Sequence, residues 1–145
     1  MAIDKNGDEW RGQHAADLAE YLRDFEAGGY RIARVVPAVC SGCGGRVFRL
    51  RADADEGCAE RTCAECAKSA LMLDSEDYWE GAAPEPVRCG CGADGFEVAV
   101  AFSLRANGDV RWVSVGTRCV GDGLLSCPVD WRIDYAPSAD LLDRV

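Results

Sequence analysis

The sequence predicts a small α+β protein that metal ions hold together. Its predicted architecture is two tandem zinc-ribbon-like β-hairpin units, with an N-terminal amphipathic helix before them and a short C-terminal helix after them. Three observations predict this fold class: cysteine pairs around two candidate hairpins, alternating apolar residues on both sides of Asn107-Gly108, and a helical apolar stripe near the N-terminus. We divide the chain into an N-terminal helix and lead-in strand (1–39), a first zinc ribbon (40–73), an acidic connector (74–87) and a second ribbon-like unit with the C-terminal tail (88–145).

Composition and charge predict the cellular compartment of the protein and the kind of partner that it binds. The chain has 145 residues, nine cysteines and a formal net charge of −9. An odd number of cysteines and an N-terminus without a basic or apolar export signal predict a cytoplasmic protein with metal-bound thiolates rather than disulfides. No apolar run approaches the roughly 20 residues of a membrane span. The acidic balance disfavours nucleic acid as the main partner.

Two helices are expected. The first carries an apolar stripe at i, i+3, i+4 and i+7 and ends at Gly28-Gly29; the stripe consists of Leu18, Tyr21, Leu22 and Phe25. We expect this stripe to pack on the rest of the protein, and a partner-binding helix is the alternative. A short C-terminal helix is predicted after Pro137, with Ser138 as its N-cap.

The first candidate metal site consists of two C-x-x-C turns. Nineteen residues separate Cys43 from Cys63, and they can run out and back as a hairpin with its loop at residues 53–57. Folding the chain there brings two pairs of thiolates to one point, which is typical of a structural zinc site. The predicted ligands are Cys40, Cys43, Cys63 and Cys66. Cys58 is expected to be a buried small apolar residue, and the single histidine, His14, a surface residue.

The second candidate site depends on hairpin register. Asn107-Gly108 predicts a two-residue turn. The strands on either side then pair Phe102 with Val113, Val100 with Val115 and Phe96 with Cys119, so that the apolar residues share one face. This register brings Cys119 close to Cys89 and Cys91, and these three are the predicted ligands of a second zinc.

The order of these motifs resembles a family. The order from residue 40 to the C-terminus is C-x-x-C, hairpin, C-x-x-C, DSEDY, C-x-C-G, hairpin, R-C-x-x-x-G and D-W-x-x-x-Y. In this order the chain resembles a group of small bacterial double zinc-ribbon proteins. The resemblance implies two zinc sites and no catalytic activity. The group has a cysteine where this chain has Asp122.

Three alternatives follow for the fourth ligand of the second site. Asp122 can supply a carboxylate oxygen, and Asp122-Gly123 keeps the shape of the turn. Cys127 can complete a set of four cysteines, the chemistry that zinc favours in closed sites, and this interpretation is narrowly preferred. In the third alternative the site is empty.

The predicted function is a non-enzymatic, zinc-stabilised interaction, adaptor or regulatory protein that binds a protein partner. It could use the acidic connector, exposed aromatic residues or the N-terminal helix, and its charge suits a basic partner. One alternative is a nucleic-acid-associated ribbon, in which Val47 lies opposite Arg61 and arginines share one face of the first hairpin. The other is a redox or zinc-dependent enzyme that uses Cys127 or an open second site.

Overall fold

The computed structural model describes residues 9–145 of the chain. Residues 1–8, part of the predicted N-terminal segment, lie outside the described residues. In chain order the elements are β1 (Trp10–Arg11), α1 (Ala15–Phe25), β2 (Arg34–Pro37), β3 (Val47–Asp53), β4 (Cys58–Cys63), β5 (Ser69–Leu71), β6 (Glu85–Pro86), β7 (Phe96–Leu104), β8 (Val110–Cys119) and β9 (Leu124–Arg132). Short 3₁₀ helices span Ala27–Gly29, Ser75–Asp77, Trp79–Gly81 and Ala139–Asp143.

The predicted fold class is wrong. Within residues 9–145 the chain is mostly one antiparallel sheet of nine strands with a single α-helix, not an α+β pair of ribbons with two helices. The expected C-terminal helix is a five-residue 3₁₀ turn, and the tail before it forms β9, a full strand of the sheet. Alternating apolar residues such as Val129, Trp131 and Ile133 favour this strand, because successive side chains in a strand point to opposite faces.

The second hairpin has the predicted register. Phe96 pairs with Cys119, Val100 with Val115 and Phe102 with Val113, and only the last pair before the turn is shifted by a bulge. The apolar side chains that were expected to share a face are buried together in the larger core. The turn itself differs from the predicted two-residue turn, because the Arg105 N–H donates to the Asp109 carbonyl at 2.7 Å around a loop of residues 106–108, and the bulge beside it restores the predicted pairs. The apolar alternation, and not the turn, therefore determines the register of this hairpin.

The first hairpin forms where predicted but in a different register. Leu50, and not Val47, lies opposite Arg61. Arg61 therefore points into the protein, where its guanidinium lies 4.9 Å from the centre of the Phe48 ring and donates a hydrogen bond to the Val145 carbonyl. The predicted arginine face including Arg61 is wrong, since a change of register by an odd number of residues moves a side chain to the other face.

The two hairpins share one sheet. The strand order is β1-β9-β8-β7-β3-β4-β5, and the pairing of β3 with β7 at Val47 and Phe48 joins the two hairpins. β2 continues along the same edge of β7, while β6 continues along the edge of β3. In the described part of the chain, β9 pairs on its outer side with β1 alone, at Leu124 and Leu125.

Helix α1 covers one face of the sheet. Leu18 and Leu22 are buried against Ala99, Ala101 and Leu125. Close approach requires a glycine on β8, because a Cβ atom at Gly116 would lie 2.7 Å from a Leu22 methyl carbon. The stripe packs as predicted, although its last member, Phe25, remains 52 % exposed.

The start of α1 uses a side chain that the sequence analysis did not identify. The Asp17 carboxylate accepts hydrogen bonds from the backbone N–H groups of Gln13 and His14, at 2.8 and 3.0 Å. These bonds satisfy amides just before the first turn, where helices otherwise leave donors unpaired. No helix in residues 9–145 combines the length and the apolar character needed to cross a membrane.

Candidate metal centres

The first centre consists of the four predicted cysteines. Cys40 lies shortly after β2, Cys63 ends β4, and each begins a tight turn that carries the second cysteine of its pair. The Sγ atoms of Cys40 and Cys66 are 3.6 Å apart, and those of Cys43 and Cys63 are 3.5 Å apart. Four thiolates around a tetrahedral zinc, at about 2.3 Å each, would be about 3.8 Å apart. The donor set and its spacing therefore fit a metal ion, and all four Sγ atoms lie within 4.8 Å of one another.

Backbone amides favour the thiolate form in the first centre. The N–H groups of Cys43 and Gly42 point at the Cys40 Sγ and lower the pKa of this thiol to about 6. The Gly42 nitrogen is 3.4 Å from that sulfur. A hydrogen bond from the Lys68 ammonium to the Ser41 hydroxyl, 3.0 Å long, ties the two turns together. Hydrogen bonds from the local backbone thus stabilise the negatively charged thiolate form that binds a metal.

The second centre contains the three predicted cysteines and Asp122. The Sγ atoms of Cys91 and Cys119 are 3.6 Å apart, and the Cys89 Sγ lies 3.4 Å from the Asp122 Oδ1. The pairing of Phe96 with Cys119 brings the end of β8 back beside the C-x-C turn. The four ligand atoms lie within 4.8 Å of one another and could hold a metal ion.

The Asp122 carboxylate is held from two sides. Its Oδ1 accepts the backbone N–H of Leu124 at 3.0 Å, and its Oδ2 lies 3.7 Å from a guanidinium nitrogen of Arg11. The Leu124 amide is the main cause that lowers the pKa of this carboxyl group. Asp122 is therefore ready to bind a cation in its ionised form.

Cys127, the preferred fourth ligand of the sequence analysis, lies elsewhere. Its side chain packs on the α1 side of the sheet beside Tyr21, and its thiol is 3.6 Å from the Val129 carbonyl oxygen. β9 begins at Leu124, directly after the turn, and this carries Cys127 along the strand and away from the other cysteines. Burial, with the charge of Asp130, raises the pKa of the Cys127 thiol to about 12, which disfavours the redox role considered for it.

The remaining expected non-ligands also lie apart from the centres. Cys58 is fully buried, as predicted, and His14 is an exposed residue at the start of α1. Neither belongs to a metal-ligand cluster in residues 9–145.

Asp74 is a structural residue that the sequence analysis missed. The acidic connector was expected to be solvated, yet Asp74 is 2 % exposed and accepts hydrogen bonds from the Trp131 indole at 3.1 Å and the Tyr135 hydroxyl at 2.8 Å. The neighbouring Ser75 is also buried, and its hydroxyl accepts the Ala59 N–H. The start of the connector therefore binds the tail to the first hairpin. The sequence analysis missed Asp74 because nothing in the sequence distinguishes one buried carboxylate from the exposed carboxylates that follow it.

Comparisons of the chain with protein-family models, with curated proteins and with solved structures each find no match.

Proposed function

We propose that this protein is a non-enzymatic interaction protein whose sheet is stabilised by zinc. Four cysteines whose sulfur atoms meet at one point, two of them buried, support zinc at the first centre, because closed thiolate sites are typical of structural zinc. In small domains such a site supplies about 10–16 kcal/mol of folding free energy. The metal then stabilises the fold, and the exposed surface carries the function.

One surface feature carries this proposal, and we call it the tyrosine patch: Tyr78, Tyr135, Asp77 and Asp134. The two tyrosines are 39 % and 38 % exposed, and they are two of the five large hydrophobic side chains that are exposed among the described residues. Partial burial, followed by the charges of nearby aspartates that include Asp134 and Asp77, raises the pKa of Tyr78. Aromatic rings beside carboxylates favour cationic ligands through both cation–π and ionic attraction.

The patch is rigid at one end. The Tyr135 hydroxyl donates a hydrogen bond to the buried Asp74 carboxylate. Because this bond already holds the ring in place, the side chain loses little further conformational entropy when a partner binds. The protein also has a net charge of −9, which attracts basic partners over a longer range. The partner class that fits is a Lys- or Arg-rich segment of another protein.

The test uses defined basic peptides rather than cell extracts. We expect a panel of Lys/Arg-rich peptides to contain binders, and Tyr78→Ala together with Asp134→Asn to weaken their binding at least about tenfold by calorimetry. Asp55→Asn is the matched control, because it removes the same charge from the exposed tip of the first hairpin. Equal binding by the patch variant, or binding of no basic peptide by the wild type, would overturn the proposal.

Nucleic acid is the second candidate, because one surface cavity is basic. It has a volume of about 260 Å³, and Arg49, Arg51 and Arg88 contribute to its lining. Arg51 is already paired with Glu60 at 3.1 Å, so two guanidinium groups remain for phosphate. We expect no DNA or RNA binding at about 0.15 M salt, since two such contacts do not offset the acidic net charge. Sub-micromolar binding that Arg49→Glu and Arg88→Glu abolish would favour this candidate instead.

A further inference from the structure

We propose that Cys89, Cys91, Cys119 and Asp122 form an exchangeable divalent-metal site, in which Arg11 competes with the metal for the Asp122 carboxylate. The first centre would keep its metal while the second loads and unloads. This inference is independent of the tyrosine patch, and it follows from two differences between the centres and two further observations at the second one.

The first difference is the fourth ligand. The first centre offers four sulfur atoms, whereas the second offers three sulfur atoms and one carboxylate oxygen. Thiolates bind zinc and softer metals more strongly than a carboxylate does, so the Asp122 bond is the weakest in either centre. Metal exchange proceeds most readily where one ligand can leave first.

The second difference is a competing cation. The Arg11 guanidinium lies 3.7 Å from the Asp122 Oδ2, where it can hold the carboxylate after it has left the metal. In the first centre the nearby cation, Lys68, is bonded to the Ser41 hydroxyl and not to a ligand atom. The second centre therefore pairs its carboxylate ligand with a positively charged side chain.

The third observation is access. A surface cavity of about 400 Å³ opens beside the second centre, lined in part by Cys89, Cys91, Asp122 and Arg11. The Asp122 side chain is 27 % exposed and faces this space. A chelator or a metal-donating molecule can thus approach the ligand that is easiest to displace.

The fourth observation links the site to the N-terminal segment. The turn that carries Cys119 and Asp122 receives a hydrogen bond from the Gly12 N–H to the Gly123 carbonyl at 2.8 Å, and the Arg118 guanidinium donates to the Gly12 carbonyl at 2.9 Å. β1 pairs with β9 immediately after this turn. The segment that carries Arg11 is thus bonded to the same turn that supplies Cys119 and Asp122, which keeps Arg11 beside the site.

Metal-transfer kinetics test the proposal on the full chain. The protein is loaded with Zn²⁺ alone and mixed with an excess of a chromogenic chelator. We expect two release phases of equal amplitude that differ at least about tenfold in rate. Asp122→Cys should slow the fast phase at least about tenfold, and Arg11→Gln should slow it to a smaller extent. Lys68→Gln, the matched control at the first centre, should leave the fast phase unchanged.

A second measurement needs no variant. Loading the wild-type protein with ¹¹³Cd²⁺ alone should give two NMR signals, one shifted as for four sulfur ligands and one displaced towards the range of mixed sulfur and oxygen ligands. Two four-sulfur signals, a single bound ion, or zinc release at one common rate would overturn the proposal.

Discussion

Two of the nine cysteines lie outside the metal centres, and their surroundings keep both thiols protonated. Burial, followed by the charge of Asp53, raises the pKa of Cys58. Burial, followed by the charge of Asp130, raises the pKa of Cys127 to about 12. Because the thiolate is the reactive form, neither residue should behave as a nucleophile in the folded protein.

Thiol labelling of the zinc-loaded protein checks this expectation. At about pH 8 we expect Cys127 to react with a disulfide reagent roughly 10²–10³-fold more slowly than a free cysteine. Cys58 should also react more slowly than a free cysteine, and both should react at normal rates in denaturant. Cys127→Ser should remove one slow thiol and leave the bound zinc unchanged. Rapid labelling of Cys127, or loss of a zinc in this variant, would show that its thiol is not where the structure places it.

The choice between Asp122 and Cys127 shows the limit of sequence reasoning at single residues. The register of the second hairpin predicts the meeting of Cys89, Cys91 and Cys119, because it is fixed by neighbours along the chain. The fourth position depends on where the next strand begins. Gly123, with a φ of +78°, lies close against the Gly12 backbone, and this long-range contact starts β9 at once.

At the scale of elements, the connector holds the tail through Asp74. We expect Asp74→Ala to lower the free energy of unfolding by about 2–3 kcal/mol, because the buried Trp131 N–H loses its acceptor. Chemical denaturation with zinc kept at saturation measures this change. The control is Glu76→Ala two residues further on, which removes only an exposed ion pair with Arg144 and should cost at most about 1 kcal/mol. Equal effects of the two substitutions would contradict a structural role for Asp74.

The contact between α1 and β8 leaves no room for an added methyl group. We expect Gly116→Ala to destabilise the protein by about 1–3 kcal/mol, since the new Cβ would overlap the Leu22 side chain. Gly81→Ala is the matched control: a Cβ there meets no atom within 4 Å and should change stability by less than about 0.5 kcal/mol. Thermal melting measures the stability of both variants. A Gly116→Ala protein with the stability of the wild type would argue against the close packing of α1 on β8.

Elements with strong local signals were predicted well, and those without them were not. In the second hairpin the apolar residues alternate from Phe96 to Phe102, so these pairs agree with the sequence analysis even though the loop spans residues 106–108 and is not the predicted two-residue turn. The first hairpin has fewer apolar residues on one face, and its register moved Arg61 from the expected exposed face into the core. Register is predictable where one face of a strand is apolar along its length, and the turn dipeptide alone does not determine it.

At the scale of the whole molecule, both hairpins contribute to one core. Phe48 and Leu50 from the first hairpin are buried in the same cluster as Phe96 and Val100 from the second. We therefore expect one cooperative unfolding transition, with circular dichroism and tryptophan fluorescence giving coincident curves. Cys40→Ser should shift both curves together, because weakening the first centre also weakens the shared sheet. Separate transitions for the two probes would contradict a shared core.

The pairing that joins the two hairpins into one sheet could not be predicted from the sequence. The β3–β7 pairs link residues 50 and 48 positions apart, Val47 with Glu97 and Phe48 with Phe96, and no turn or motif specifies them. What selects them is the burial of apolar faces that neither hairpin could cover alone, a property of the complete chain. Local patterns thus predicted the parts, and the assembly followed from long-range packing.

Beyond Leu125 the outer side of β9 has no strand partner among residues 9–145, and this bears on self-association. A sheet ends in backbone groups that can template another chain, and long exposed edges drive aggregation. Here Pro128 interrupts the row of N–H groups along β9, and the strand at the opposite border, β5, is only three residues long. A missing N–H on β9 and the short length of β5 both make the addition of a further strand at these two borders less favourable.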